Sequence, residues 1–293
     1  MSNSENYLAL FSKLKNVEYK LDYSLKGLNR YGTGGNAKVA IFPKNVQELS
    51  LVLKEVKGSY PYYVIGGGSN LLVSDSGFDG VIISTLQVKN ITIKSNLFLV
   101  DCGEKLSNVI KEMKYNCFSG LEFAIGIPAT VGGAVAMNAG CFGSTISEVV
   151  KYVVADSGIY TNSECGFGYR TSRFLNGDTI LSVCFSLEPS EEDLIEEKIK
   201  NYKTFRKNPK GKSCGSVFKN EGYFAGKVID EVGLKGYKIG GAKVSLEHAN
   251  FIIADNTCTS QNIYDLIKTI KERVYNKKQI TLVEELMYLG DFK

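Results

Sequence analysis

Residues 123–147, FAIGIPATVGGAVAMNAGCFGSTIS, run 25 positions without a charge, and this stretch restricts the fold more than any other part of the chain. It is long enough to cross a bilayer as one helix. Yet it holds five glycines and Pro128, a density of poor helix formers that disfavours a continuous helix. Backbone stripped of side chains reads better as chain folded close to something bulky, where a Cβ would be in the way. No membrane span is expected. The rest of the composition fits a globular protein: of 293 residues, 44% are hydrophobic and 23% charged, the usual balance for packed domains. That length suggests about two domains. Lys and Arg total 35 against 31 Asp and Glu, and the resulting +4 is dispersed. It does not make the clustered basic face of a nucleic-acid binder.

Seven cysteines, at 102, 117, 141, 165, 184, 214 and 258, form no CxxC pair, and His248 is the sole histidine. No zinc-type ligand set is visible, so no metal is expected. The odd cysteine count fits reduced thiols. The opening MSNSENYLALFSKLK has too short and interrupted an apolar run for a secretory signal. A cytoplasmic protein is expected.

Helices are expected where caps and a 3.6-residue period coincide. Asn45 with Glu48 precedes Val46, Leu49, Val52, Leu53 and Val56; Lys105–Tyr115 repeats Leu106, Val109, Ile110 and Met113. Ser190 opens a charged amphipathic helix, Ser260 opens another, and Phe224–Leu234 forms a shorter one. Strands are expected at 62–66, 81–84, 97–103, 149–156, 180–189, 250–255 and 280–290. The mixture predicts an α+β class. The charged helix 190–207 and the polar stretch after it mark the best boundary, giving a large domain at 1–203 and a smaller one at 204–293.

The strongest local signal is Val64-Ile65-Gly66-Gly67-Gly68-Ser69-Asn70-Leu71-Leu72. A strand running into three glycines can aim several bare N–H groups at one point, and a diphosphate suits such a nest. A plain tight turn in a sheet is the alternative. Familiar nucleotide and hydrolase motifs fail here. A Rossmann fingerprint needs glycine at Leu71, a P-loop needs glycine at Arg206, and a serine-hydrolase elbow needs it at Leu71 or Phe218. The second glycine segment, 126–140, lies about 60 residues on. Two neutral glycine-rich elements suggest one long ligand lying across both, and a dinucleotide with a flat redox ring fits. A glycine-rich crossover in the core is the plain reading.

Three further places are costly without a function. Glu284 and Glu285 lie in an otherwise apolar run, and a buried carboxylate costs several kcal/mol unless paired or protonated. Alternation alone cannot say which of the two is buried, and a structural salt bridge remains open. Arg170, framed by aromatics in GFGYRTSRF, could clamp a carboxylate bidentately or make only a surface cation–π contact. Ser216, in CGSVFKN, could act chemically or simply form a turn.

Taken together these segments resemble the UDP-N-acetylenolpyruvoylglucosamine reductase family of flavoproteins, over almost the whole chain. The family's GGGSNLL turn is matched at 66–72, its GIPxxxGGAxxMNAG segment at 126–140, its YRxSxF at 169–174 and its GSxFKN at 215–220. The helix Ala225–Asp230, the IGGAxVS stretch and the closing ELMYLG at 285–290 also match.

The resemblance implies a two-subdomain FAD-binding domain of the vanillyl-alcohol-oxidase (PCMH) type, split at about residue 85, followed by a C-terminal α/β substrate-binding domain. FAD would be held noncovalently by Gly66, Gly67, Gly68, Ser69, Asn70 and Leu71 and by Gly126, Ile127, Pro128, Thr130, Gly132, Gly133 and Asn138. NADPH would reduce it, and the enolpyruvyl ether of UDP-N-acetylglucosamine would then be reduced to UDP-N-acetylmuramate for peptidoglycan. Arg170 and Glu285 match residues that bind and polarise the substrate carboxylate, and Ser216 matches the proton donor. Counting back from Gly290 selects Glu285 over Glu284. Tyr169, Lys219 and Asn220 match positions near the UDP-sugar. The resemblance implies a monomer of the shorter family type. Cys214 in place of alanine, Ala136 in place of an aromatic and Ala254 in place of asparagine depart from the pattern, and the 208–213 loop is short. An FAD-dependent oxidase on the same domain is the alternative, and GSVFKN with Glu285 argues against it. A binding protein without turnover is a third reading, under which Arg170, Ser216 and Glu285 are dispensable.

Overall fold

The computed structural model describes residues 7–175, 177–206 and 208–293. They divide into two compact units between which the chain passes repeatedly. The first holds the described residues up to Lys20, then Val39–Gly67 and Gly80–Arg206; the second holds Leu21–Lys38, Gly68–Asp79 and the described residues from Asn208 onward.

The chain runs from α1 (Leu8–Lys13) through β1 (Glu18–Ser24), which passes into the second unit after Lys20, and β2 (Asn36–Phe42), which returns to the first at Val39, to α2 (Val46–Val56) and β3 (Tyr62–Ile65). After β4 (Leu71–Val73) comes β5 (Phe78–Ser84), and the sheet order is β1-β2-β5-β3. Strands β3 and β5 are parallel, with Tyr62 opposite Val81 and Ile65 opposite Ser84. Helix α2 starts where its cap predicts: Asn45 Oδ1 accepts the Glu48 N–H at 2.8 Å, and the Glu48 carboxylate accepts the Lys44 N–H at 2.8 Å. Its Leu49, Val52, Leu53 and Val56 are buried in the core of this unit.

Then follow β6 (Ile91–Lys94), β7 (Leu97–Asp101), α3 (Leu106–Tyr115), α4 (Val131–Ala136), β8 (Val150–Ala155), β9 (Gly158–Thr161), β10 (Ile180–Ser186) and α5 (Glu192–Phe205). The strands form an antiparallel sheet in the order β9-β8-β10-β7-β6. Six of the seven residues of β10, from Ile180 to Phe185, are buried, as suits a central strand covered on both faces. The one α-helix in the charge-free stretch is α4, six residues long and capped by Thr130, followed by a short hairpin pairing Gly140–Cys141 with Ser144–Thr145. Among the described residues no helix is long and apolar enough to cross a membrane.

The second unit contains α6 (Ala225–Glu231), β11 (Lys238–Ile239), β12 (Ala242–Val244), β13 (Ile252–Ala254), α7 (Ser260–Lys278) and β14 (Met287–Leu289). Strands β11, β12 and β13 make an antiparallel sheet, and α7 buries Ile263, Leu266, Ile267, Ile270 and Val274. The first turn of α7 leaves N–H groups to satisfy. Thr259 caps it, and the Asp75 carboxylate accepts from Ser260 N–H at 3.0 Å and Gln261 N–H at 2.9 Å. Strand β14 lies parallel to β4, pairing Met287 with Leu71 and Leu289 with Val73.

One expected strand is much shorter than its sequence suggests. Of the run expected at 280–290, only Met287–Leu289 is strand. The Glu285 and Leu286 N–H groups both donate to Val217 O, at 2.8 and 3.3 Å. Two neighbouring donors on one carbonyl break the period-two alternation, as at a bulge. Assigning Glu284 and Glu285 to opposite faces by alternation therefore fails.

Candidate functional site

In the first unit the glycine turn follows directly from β3. A Cβ on Gly66 would lie 2.3 Å from Thr130 Oγ1, and one on Gly67 would lie 3.6 Å from Pro128 O. The two glycine-rich segments are thus brought together, turn against segment. Gly126, Pro128 and Gly133 are exposed, while Gly66, Gly67, Ile127 and Ala129 are half-buried. The surface they make is uncharged and nearly bare of side chains. The neighbouring glycines 132 and 133 differ. Gly132 sits 3.0 Å, by its absent Cβ, from Cys102 Cβ and donates to Cys102 O at 2.8 Å, so it serves packing. Gly133 meets only Thr130 Oγ1, at 3.4 Å.

Ser84 stands opposite Ile65 where β3 feeds the turn, and its buried hydroxyl has no hydrogen-bond partner among the described residues. A buried polar atom left unserved in this way commonly marks a place a bound group completes. Bare uncharged backbone with an unserved hydroxyl beside it fits a long, flat, partly polar ligand.

Arg170 sits at the tip of a tight turn. Gly168 N–H donates to Thr171 O at 3.1 Å, and Arg170 itself has φ 55°, a left-handed conformation uncommon for a residue with a side chain. The turn is anchored to the glycine segment. Buried Asn138 donates through Nδ2 to Gly168 O at 2.9 Å, and Ser172 Oγ donates to Ala136 O at 2.7 Å. The Arg170 guanidinium donates to Gly140 O at 2.9 Å and lies 5.3 Å from the centre of the exposed Tyr169 ring. Beside it, Arg206 donates to Cys141 Sγ at 2.7 Å and to Phe123 O at 3.3 Å. Burial pushes the Cys141 thiol up, an effect opposed by Arg206 and Arg170.

In the second unit Gly68 has φ 55°, and a Cβ there would lie 2.0 Å from Leu28 O. Ser69 is half-buried and Leu71 buried. Asn70 Nδ2 donates to Glu285 O at 2.9 Å, and Met287 N–H donates to Asn70 O at 3.0 Å. Asn70 and the 285–287 segment are therefore tied by two hydrogen bonds, one to Glu285 and one from Met287. Ser216 belongs to the segment beside them: it pairs with Phe251, and Val217 O accepts from Glu285 N–H. Cys214 Sγ, its thiol pushed up to about 11 by burial, donates to Leu71 O at 3.4 Å and Gly68 O at 3.6 Å. Lys271 Nζ donates to Glu284 Oε1 at 2.7 Å. Lys219 N–H donates to Val283 O, and Asn220 Oδ1 accepts the Ala225 N–H at the start of α6.

His248 makes a polar contact, its Nδ1 accepting the Asn250 N–H at 3.3 Å, and burial pushes its pKa down from the ordinary 6.5. The unfolded chain takes that proton first as pH falls. The stability it contributes is therefore full above about pH 6.5 and is lost progressively below it. In urea unfolding, the midpoint is expected to drop more between about pH 7.5 and about pH 5.5 in the natural protein than in His248→Gln. An equal drop in both refutes the assignment.

Sequence reasoning missed Ser84, Arg206 and Asn250. A hydroxyl in a strand, a charge at a helix end and an asparagine in a loop carry no spacing signal of their own.

Known proteins share this arrangement. A family model for the UDP-N-acetylenolpyruvoylglucosamine reductase C-terminal domain matches residues 207–289, and one for an FAD binding domain matches residues 37–161. A curated UDP-N-acetylenolpyruvoylglucosamine reductase from Clostridium kluyveri is 36% identical over 304 aligned positions, covering 99% of this chain and all of the relative. One from Caldicellulosiruptor saccharolyticus is 38% identical over 291 positions, covering 95% of this chain and 94% of the relative. The crystal structure of the corresponding reductase from Thermus caldophilus superposes with a TM-score of 0.80 at 33% identity, covering 94% of this chain and 99% of that one.

Proposed function

The chain belongs to the UDP-N-acetylenolpyruvoylglucosamine reductase family and is an FAD-dependent oxidoreductase; from that premise we propose that Arg170, Ser216 and Glu285 carry its chemistry. Its substrates are NADPH and the enolpyruvyl ether of UDP-N-acetylglucosamine, which it reduces to UDP-N-acetylmuramate for peptidoglycan synthesis. FAD, when bound, would supply two-electron hydride-transfer chemistry between NADPH and the methylene carbon of the enolpyruvyl group. Gly66–Leu71 and the residues Gly126, Ile127, Pro128, Thr130, Gly132, Gly133 and Asn138 are the ones proposed to hold it. The bare turn resting on the 128–130 backbone and the unserved Ser84 hydroxyl support that fit.

Hydride arriving at the methylene carbon leaves negative charge on the adjacent carbon and its carboxylate. Arg170 binds that carboxylate through its guanidinium. A protonated Glu285 donates a hydrogen bond to it, so charge is stabilised as it develops. Ser216 Oγ hands its proton to the adjacent carbon, completing the saturated ether. Tyr169, Lys219 and Asn220 contact the UDP-sugar in this reading. One observation carries it furthest: Glu285 N–H on Val217 O and Asn70 Nδ2 on Glu285 O tie the proton donor's segment, the Glu285 backbone and the end of the glycine turn into one bonded series. Glu284 is paired with Lys271.

The proposal includes an FAD-binding part over 1–203 and a substrate-binding part over 204–293, supported by the passage into the second unit after Arg206. It also takes the enzyme to be a cytoplasmic monomer that works without nucleic acid or membrane. Anaerobic spectroscopy of the FAD-loaded protein tests the function. NADPH is expected to bleach the flavin band, and the enolpyruvyl substrate to restore it. A flavin that NADPH cannot reduce, but that an alcohol substrate can under oxygen, would make the protein an oxidase.

A further inference from the structure

The segment that carries Ser216 runs out of backbone partners one residue too soon. Ser216 pairs with Phe251, and Val217 N–H donates to Asn250 O at 2.9 Å. At Phe218 the ladder continues through a side chain instead. Phe218 N–H donates to Asn250 Oδ1 at 2.9 Å, and Asn250 Nδ2 donates to Phe218 O at 2.8 Å. The primary amide imitates a strand's peptide, offering acceptor and donor to the donor and acceptor of one residue.

Both groups are out of reach of water, since Asn250 is 3% exposed and Phe218 1% exposed. A buried backbone N–H or C=O requires a partner, and here Asn250 is the partner of both. On its other edge the same segment is held by Lys219 N–H on Val283 O and by Glu285 N–H and Leu286 N–H on Val217 O. Ser216 and Glu285 are thus both referenced to the peptides of Val217 and Phe218. A slip of that segment moves the proton donor and the carboxylate together.

We propose that Asn250 is a positioning residue, whose side-chain amide fixes the register of 216–219 and through it Ser216 Oγ and Glu285. This rests on the roles given above to Ser216 and Glu285. Proton delivery is sensitive to placement, and a shift of about 1 Å costs roughly 10²-fold in rate. Reduction of the flavin by NADPH calls on neither residue, so it is insensitive to Asn250.

The test uses the FAD-loaded enzyme, with Asn250→Ala made alone and together with Ser216→Ala. Both half-reactions are followed by stopped-flow absorbance, and amide exchange is read over 216–219. Expected in Asn250→Ala are NADPH reduction within about twofold, reoxidation slowed roughly 10²-fold, and faster exchange at 217–219 with α7 still protected. On the Ser216→Ala background the same change is expected to slow reoxidation by less than about threefold, because the two act as a unit. An equal factor in both backgrounds, or normal reoxidation in Asn250→Ala, overturns the proposal. Normal reoxidation in Ser216→Ala alone sinks the role of Ser216, and the inference with it. Should Asn250→Ala not fold, Asn250→Asp keeps the acceptor for Phe218 N–H and loses the donor to Phe218 O. It is expected to show the same loss confined to reoxidation, and slowing of both half-reactions alike would refute the idea.

Discussion

In Ser216→Ala the bound flavin is expected to be reduced by NADPH within about twofold of the normal rate, while reoxidation by the enolpyruvyl substrate slows by roughly 10²–10⁴-fold. The asymmetry is the informative part. Delivering hydride to the methylene carbon does not depend on a proton at the neighbouring carbon until charge has built there. Under the proposed roles, removing the donor leaves that charge stabilised by Arg170 and Glu285 but without a path to product. The fold is expected to survive the change. The 214–219 segment is held through Cys214, Val217, Phe218 and Lys219, whose partners do not include the Ser216 hydroxyl. Rapid mixing of each half-reaction separately is the measurement. Equal slowing of both half-reactions would show that Ser216 shapes the site rather than supplying the proton.

Gly68→Ala is expected to destabilise the protein by about 2–5 kcal/mol, the sum of left-handed backbone strain and overpacking. The residue has φ 55°, and the new Cβ would stand 2.0 Å from Leu28 O and 2.6 Å from Asn29 Cα. Those atoms belong to backbone that has little freedom to retreat. Asn29 Nδ2 holds Leu25 O at 2.9 Å and Thr33 O at 2.8 Å, and Arg30 N–H donates to Gly68 O at 3.1 Å. Gly67→Ala is the matched control. Its Cβ would meet Pro128 O at an ordinary 3.6 Å, so stability is expected to hold while FAD affinity falls. Denaturant midpoints and flavin titration of the two variants separate the effects. Equal stability in both would mean that the Leu28 turn moves aside.

How much of this could be read in advance depends on the range of the interaction involved. Helix α2 announces itself because its cap, Asn45 and Glu48, lies within four residues of the helix it starts. Helix α7 is legible through its cap, Thr259, and α3 through its apolar period alone, since it has no side-chain cap; the two glycine segments are legible from composition. Strand β1 is not, because its burial pattern is exposed at six of seven positions and shows no apolar face. The 280–290 run misleads, since its apolar, strand-like composition meets a carbonyl shared by two neighbouring donors and only Met287–Leu289 is strand. Asparagine is the hardest case. Asn138 bonds a residue 30 positions away, Asn250 one 32 away and Asn70 one 215 away. The motifs around Asn70 and Asn138 mark them out without naming their partners, and nothing near Asn250 marks it at all, because an amide finds its partner only once the fold exists.

The pairing of β4 with β14 has a consequence for how the protein is made. Leu71–Val73 leaves the ribosome early, yet its strand partner Met287–Leu289 and the Glu285 carbonyl that receives Asn70, 215 positions later, are translated long afterwards. Asp75 likewise waits for Ser260 and Gln261. Throughout elongation these early segments present unsatisfied edge groups in a nascent chain, the kind of surface that recruits holdase chaperones or mispairs. The end of the glycine turn therefore acquires its strand partner only once Met287–Leu289 has been made.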